Sequence, residues 1–225
     1  MSQPTPKYPL LILDTASRRT WVGLKSGPNE LDYRCEEQDP SKTLFKLTDE
    51  LLKSAGLSLF DLGAIIFCSG PGSMLGARTS CMAIRSWKGI GVEAANNVFE
   101  YNSLRLGACL VESASGLPES GLIVTDARRS SWNALDFPAY PDSSIQIVGN
   151  EQLEKAGSAI LSFEEFPTWT KTEASITKIS YSPAQTFANE AFLAIIKQVP
   201  EAVPLVIRQN EFKKWDAKIH AAPEA

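Results

Sequence analysis

Three groups of residues in this chain have types and spacing that could do chemistry. Asp14-Thr15-Ala16-Ser17 follows the apolar run Leu10-Leu11-Ile12-Leu13, and Asp126-Ala127-Arg128-Arg129 follows Gly121-Leu122-Ile123-Val124-Thr125 in the same manner. A carboxylate and two hydroxyls at the tip of a hairpin are what a phosphate or Mg²⁺ site uses: Thr15, Ser17 and backbone N–H groups toward phosphate oxygens, Asp14 toward the waters of the metal. The commoner use of Asp, Thr and Ser at such a place is a turn held by side-chain to backbone bonds. The third group is Cys68-Ser69-Gly70-Pro71-Gly72-Ser73-Met74-Leu75-Gly76-Ala77-Arg78, directly after the buried-type run Ala64-Ile65-Ile66-Phe67. Three uses compete for it. Gly70, Gly72 and Gly76 with Glu93 further on imitate a dinucleotide fingerprint; the plain alternative is a tight turn with close helix packing; the remaining one is a family motif.

The elements that must position these groups follow from periodicity. Leu10–Leu13 and Thr20–Leu24 read as two arms of a hairpin, with Leu31–Arg34 as a third strand after the turn Gly27-Pro28-Asn29-Glu30. Ser41 is placed to cap a helix whose Leu44, Leu47, Leu51, Leu52 and Ala55 share one face, with Gly56 stopping it. Ser73 is placed to cap a helix from Met74 to Lys88. An extended piece at Val98–Glu100 leads to a helix capped by Ser103, and the break Ser115-Gly116-Leu117-Pro118 precedes a second strand-turn-strand, Gly121–Thr125 and Trp132–Phe137. Ile145–Val148 reads as a strand, Glu151–Ala156 as a short helix, and Pro183–Val199 as a longer helix burying Phe187, Ala191, Phe192, Ile195 and Ile196. Val203–Arg208 reads as a closing strand and Phe212–His220 as a basic, Trp215-containing tail. The repetition of strand, Asp turn and strand predicts two similar lobes, residues 1–102 and 103–225, with the final segment free to return to the first.

Composition narrows the function classes. The chain has 225 residues, 44% hydrophobic and 21% charged, which is ordinary globular composition able to bury a full core. Its net charge of -4 argues against the whole surface being a nucleic-acid footprint, while leaving room for a local basic patch. The polar, proline-rich first residues lack an apolar signal core and no run reaches a membrane span, so the expected compartment is the cytoplasm. Four widely spaced cysteines and a single histidine, His220, leave almost no material for zinc or a histidine-based triad. Cys68 and Cys81 are expected to fill core.

With these pieces in order, the chain resembles the TsaB (YeaZ) family of partners in threonylcarbamoyladenosine modification of tRNA. The resemblance rests on Ile12–Ser17, on Gly70–Arg78 (similar to the family's Gly-Pro-Gly-Ser-Phe-Thr-Gly-Val-Arg), on Asp126–Arg129 and on Pro204–Arg208. It implies an α/β, actin-like ATPase (ASKHA, ribonuclease H-like) fold of two lobes, each a mixed sheet flanked by helices. It implies a non-catalytic subunit that binds the TsaD transferase as a heterodimer, with the TsaE ATPase joining, a homodimer when alone, tRNA met only through the complex, and no membrane. It implies no catalytic residue and no metal site of its own, degenerate phosphate-type loops at Asp14, Thr15, Ser17 and Asp126, and ATP or ADP with Mg²⁺ only within the complex. The helix after Ser73 is the implied partner interface: Gly72, Ser73, Met74, Leu75, Arg78, Met82 and Arg85, although Leu75 and Met82 are equally suited to a core. The chain departs from the family in having Met74-Leu75 for Phe-Thr, Ser131 for glycine, and Arg18-Arg19 at the first hairpin, which would block or repurpose a nucleotide pocket. The rival from another class is an active small-molecule or acyl kinase of the same superfold, using Asp14 for Mg²⁺ and Asp126 as base.

Overall fold

The apolar runs pair into two mixed sheets. In the computed structural model, which describes residues 4–139 and 143–207, β1 (Leu10–Asp14), β2 (Thr20–Gly27) and β3 (Glu30–Glu36) form an antiparallel meander. Helix α1 (Pro40–Ser54) returns the chain to β4 (Ala64–Gly70), which lies parallel to β1; α2 (Met74–Gly89) returns it to β5 (Val98–Asn102), parallel to β4. After α3 (Ser103–Ser113) the plan repeats. Strands β6 (Gly121–Arg128), β7 (Ser131–Phe137) and β8 (Gln146–Gly149) form a second meander, α4 (Asn150–Glu154) follows, and β9 (Ala159–Phe163) and β10 (Thr177–Ile179) add in parallel. The orders β5-β4-β1-β2-β3 and β10-β9-β6-β7-β8 are therefore one topology used twice. Helix α5 (Pro183–Phe187) and β11 (Lys197–Val199) follow, β11 pairing antiparallel with β5 at the edge of the first sheet.

Alternation along β1 sorts the core into layers, because successive strand side chains point to opposite faces. Leu10 and Ile12 join a cluster with Phe99, Tyr101, Leu104, Leu106, Phe163 and Phe187 between the two sheets, with α3 and α5 in that layer. Leu11 and Leu13 join Leu44, Leu47, Leu51, Ile84 and Trp87 under α1 and α2. A smaller cluster of Val124, Trp132, Ala134, Leu153 and Ile160 lies on the outer face of the second sheet. Cys68 and Cys81 are both buried.

Several expectations need correction. Helix α1 is capped by Asp39, whose carboxylate accepts from the Ser41 N–H, and α3 by Asn102, which accepts from the Arg105 N–H, so Ser41 and Ser103 lie inside their helices. The stretch 183–199 is not one helix. It breaks after Phe187, where the Asn189 side chain accepts from the Ala191 N–H and starts a 3₁₀ turn, Glu190–Ala194, before β11; Ala191 is exposed. Residues 203–207 form no strand: Pro204 has no N–H to give, and the segment is tied to β4 by one bond, Leu205 N–H to Ser69 O at 2.8 Å. Arg208 and the tail Phe212–His220 lie outside the described residues. Strands β9 and β10 carry no expectation at all, being short and, in β10, largely polar, and β11 lies at the end of the helix expected over 183–199.

Candidate functional site

The glycine loop serves packing. Ser73 caps α2, its Oγ accepting from the Gly76 N–H at 3.1 Å. Its own N–H does not wait for an anion but donates to Ala16 O at 2.7 Å. A Cβ on Gly72 would lie 2.2 Å from Ala16 O, and one on Gly76 would lie 1.9 Å from Thr15 O, so both glycines exist to let α2 sit on the first hairpin turn. The Thr15 and Ser80 hydroxyls bond at 2.8 Å across the same contact. Glu93 lies beyond the other end of α2. The dinucleotide imitation is thereby corrected.

Asp14 is 1% exposed at the end of β1, and its carboxylate is fully engaged. One oxygen accepts the Ala16 N–H at 3.0 Å; the other accepts the hydroxyls of Tyr101 from β5 at 2.5 Å and of Tyr181, after β10, at 2.6 Å. The Cys68 thiol lies 3.9 Å from the Tyr181 hydroxyl. Burial pushes the Asp14 carboxyl above its ordinary range, partly offset by the Tyr101, Tyr181 and Ala16 bonds, and pushes both phenols and the thiol well above theirs. Ser17 bonds only its own turn, accepting from the Arg19 N–H and donating to Arg19 O.

What seals this pocket is an irregular strap where the repeated plan would put a second α2. Residues 164–176, between β9 and β10, contain no helix and fold back onto the first hairpin. The Arg18 N–H donates to Glu165 O, and the Arg18 guanidinium to Glu164 O at 2.8 Å. The Glu165 carboxylate is buried, accepts from Ser180 Oγ and the Tyr181 N–H, and pairs with Arg19 at 3.6 Å. Phe166 packs against Phe163, Tyr181 and the Gly72 backbone. Arg18 and Arg19 thus close the pocket by anchoring the strap.

Asp126 is equally occupied. Its carboxylate accepts the N–H groups of Trp169 and Thr170, both at 2.6 Å, the Thr170 hydroxyl at 3.0 Å and the Arg128 N–H at 2.5 Å. Burial raises its pKa, but the bonds from Thr170, Arg128 and Trp169 outweigh it and hold the carboxyl below its usual value. Neither aspartate has a lone pair facing an open site, so the residues present do not fit the Mg²⁺ and nucleotide that the kinase alternative requires. No cluster of three or more His, Cys, Asp or Glu able to hold a metal occurs among the described residues.

Two predictions follow from these carboxylates. Because Asp14 holds its proton more tightly folded than unfolded, its contribution to stability is complete at low pH and declines as pH rises from about 4, the unfolded value, through the raised folded one. Asp14→Asn removes that dependence, so urea melts should show the variant gaining on the parent as pH rises from 4 to 8 (about, for both limits). Asp126 has the opposite sign: its stabilisation is present above about 4 and lost as pH falls through the depressed value. Asp126→Asn leaves one acceptor oxygen for the three N–H groups of Arg128, Trp169 and Thr170 and turns an NH2 toward the rest, and should cost about 1–2 kcal/mol at neutral pH, shrinking at about pH 3, with Trp169 fluorescence shifting as the strap loosens.

The interface candidates sit on the outward side of α2. Met74, Leu75 and Met82 are 48%, 65% and 57% exposed, which excludes the core reading for Leu75 and Met82. Arg78 is exposed beside them, and Arg85 pairs with Glu201 at 3.0 Å. Leu75, Arg78, Met82 and Arg85 recur at steps of three and four, a single face.

No protein-family model and no curated protein sequence matches the chain. Solved structures do. The crystal structure of an uncharacterized protein with similarity to peptidase YEAZ from Pseudomonas aeruginosa superposes with a TM-score of 0.62 over 92% of this chain and 100% of that one, at 20% identity. YeaZ from Pseudomonas aeruginosa gives 0.62 over 88% and 99%, also at 20% identity. The chain has the YeaZ fold. The duplicated meander-helix-strand plan is the actin-like architecture of YeaZ, here with the pocket at Asp14 filled by the chain's own Tyr101 and Tyr181. No helix among the described residues is long and apolar enough to cross a membrane.

Proposed function

We propose that this chain is a TsaB-type, non-catalytic partner subunit that binds a TsaD-like transferase in the formation of threonylcarbamoyladenosine on tRNA. The observation that carries the reading is the α2 face: Met74, Leu75 and Met82 stand open to solvent around Arg78 on a helix whose other side is fully packed. Large apolar side chains beside arginine are what interface centres are built from. Gly72 and Ser73 form the amino-terminal rim of this surface, and Arg85 its far end. A second copy of the chain would cover the same face in the absence of the transferase, and a TsaE-like ATPase with ATP or ADP and Mg²⁺ would join at the complex rather than in this chain's cleft. The supporting chemistry is negative as well: Asp14 and Asp126, the two carboxylates on which the kinase alternative relies, are engaged by internal donors rather than free to order a metal or take a proton. Such a subunit would work in the cytoplasm. Static light scattering of the chain mixed with the TsaD-like subunit from the same genome, with and without nucleotide, should give a one-to-one heterodimer. Two unassociated proteins in every condition would overturn the reading.

A further inference from the structure

The strap and the second hairpin carry a ridge of cations that the partner reading does not use. Arg128, Arg129 and Ser130 turn that hairpin with φ of 62°, 53° and 55°, a run of left-handed non-glycine residues that holds both arginines out from the sheet. The Arg128 guanidinium lies 4.0 Å from the centre of the Trp169 ring, yet Trp169 remains 58% exposed. Asp126 fixes this pair from beneath by taking the N–H groups of Arg128, Trp169 and Thr170, so the stacked arginine and tryptophan are pre-positioned. The ridge continues beside the strap: Lys178, on β10, donates toward Thr168 and Ser162, with Arg18 close enough to repel it and the exposed Glu164 close enough to attract it. Arg18, Lys178, Arg128 and Arg129 form no ion pair within the described residues, although the chain as a whole carries a net charge of -4.

We propose that this ridge, Arg18, Lys178, Arg128, Arg129 and Trp169, is a binding site for unpaired nucleotides of a single-stranded nucleic acid, phosphates along the cations and a base on the arginine–tryptophan stack. Unpaired cations tracking past an exposed aromatic ring are the two ingredients of single-strand recognition, since every base offers a π-face and every nucleotide a phosphate. A folded duplex would leave Trp169 without a partner. An acidic protein or an anionic membrane would use the charges but not the rigid stack. The inference goes beyond the partner reading and stands without it, because site and test need only this chain.

The test is fluorescence anisotropy with a labelled oligouridylate of about a dozen nucleotides, a length matched to single-strand sites. The oligodeoxythymidylate of equal length, a duplex, inorganic polyphosphate and anionic phospholipid vesicles serve as competitors. The chain should bind the oligouridylate with a log–log salt slope of about −0.7 for each phosphate held. Competition by the deoxy strand at equal strength means that sugar is not read; weaker competition assigns the site to RNA; both support the proposal. Trp169→Ala should weaken binding about tenfold or more, the loss expected of one stacked base. Arg128→Asn with Arg129→Asn, a residue that tolerates left-handed backbone, should flatten the salt slope by about 1.4, with unchanged circular dichroism. Duplex, polyphosphate or vesicles competing as well as single strands, variants within twofold of the parent, or no binding at about 100 μM protein in about 50 mM salt would each overturn the proposal.

Discussion

Gly76→Ala should unfold this protein at a markedly lower temperature, against the ordinary sign of the substitution. Gly76 lies in the first turn of α2, where replacing glycine by alanine normally stabilises by up to about 1 kcal/mol. Here the added methyl would sit 1.9 Å from the backbone oxygen of Thr15 and 3.1 Å from the Thr15 Cβ. A backbone carbonyl cannot swing aside as a side-chain end can. Either α2 moves away, breaking the Thr15–Ser80 bond and the Ser73 N–H bond to Ala16 O, or the hairpin turn deforms around Asp14. Overpacking of this kind costs about 3 kcal/mol, and for a chain of this size that is about 6–12 °C in midpoint. Gly89, at the other end of the same helix, has nothing within 4 Å of its Cβ position. Gly89→Ala should therefore stabilise by a few tenths to about 1 kcal/mol. Calorimetry of the pair separates helix propensity from close approach: a stabilised or neutral Gly76→Ala would mean that the loop does not rest on the hairpin.

How far the sequence could lead depended on whether a feature is local. Ser73 reads as a cap because its partner is the N–H three residues on, and the α2 face reads because Leu75, Arg78 and Met82 are spaced by the helix itself. The two lobes are legible because each opens with an apolar strand, an aspartate turn and a second strand. Tyr101 and Tyr181 carry no such signal: they reach Asp14 from 87 and 167 residues away. Only the sheet order brings them together, Tyr101 from the end of β5 and Tyr181 from the segment just past β10. The false helix over 183–199 has a physical cause as well. Phe187, Phe192, Ile195 and Ile196 are all buried, and that spacing fits a helix, but it equally fits a short helix, a 3₁₀ turn and an edge strand wrapping one end of the inter-sheet core. Asn189, which caps the second piece, is the one local residue that marks the break.

The strap explains how the actin-like plan became a closed body. In the first lobe the segment between the two parallel strands is α2, amphipathic and capped, with its outer face left to solvent. In the second lobe the equivalent segment, 164–176, has Pro167 and polar residues at alternate places and forms no helix. It spends its donors and acceptors across the cleft instead, Glu165 to Arg19, Ser180 and Tyr181, and Trp169 and Thr170 to Asp126. The cleft that would admit a ligand is consequently part of the core, with Tyr181 and Phe166 in contact at a ring separation of 4.9 Å. At Asp14 no open cleft is left to carry function.

Met82→Asp is expected to abolish association with the TsaD-like subunit while leaving the monomer intact. Met82 is at the middle of the exposed α2 face, between Arg78 one turn before it and Arg85 one turn after, and its side chain packs nothing in the monomer core. The substitution therefore has little folded-state cost beyond the small helix-propensity difference, within about 0.7 kcal/mol. In a complex that covers this face the same position would be desolvated, and an aspartate there loses the apolar contact and buries a charge without a partner dedicated to it. Arg78 and Arg85 could approach the new carboxylate, so the loss is less than for an isolated charge, yet about 3 kcal/mol or more remains, a weakening of about 100-fold or greater. Light scattering should show separate species at concentrations where the parent gives a heterodimer. Trp169→Ala, which removes an equally exposed aromatic ring from the second lobe, should leave the heterodimer unchanged. If Met82→Asp still associates and Trp169→Ala does not, the partner docks on the strap side of the molecule and the α2 face is assigned wrongly; if neither variant matters, the transferase uses a surface that avoids both.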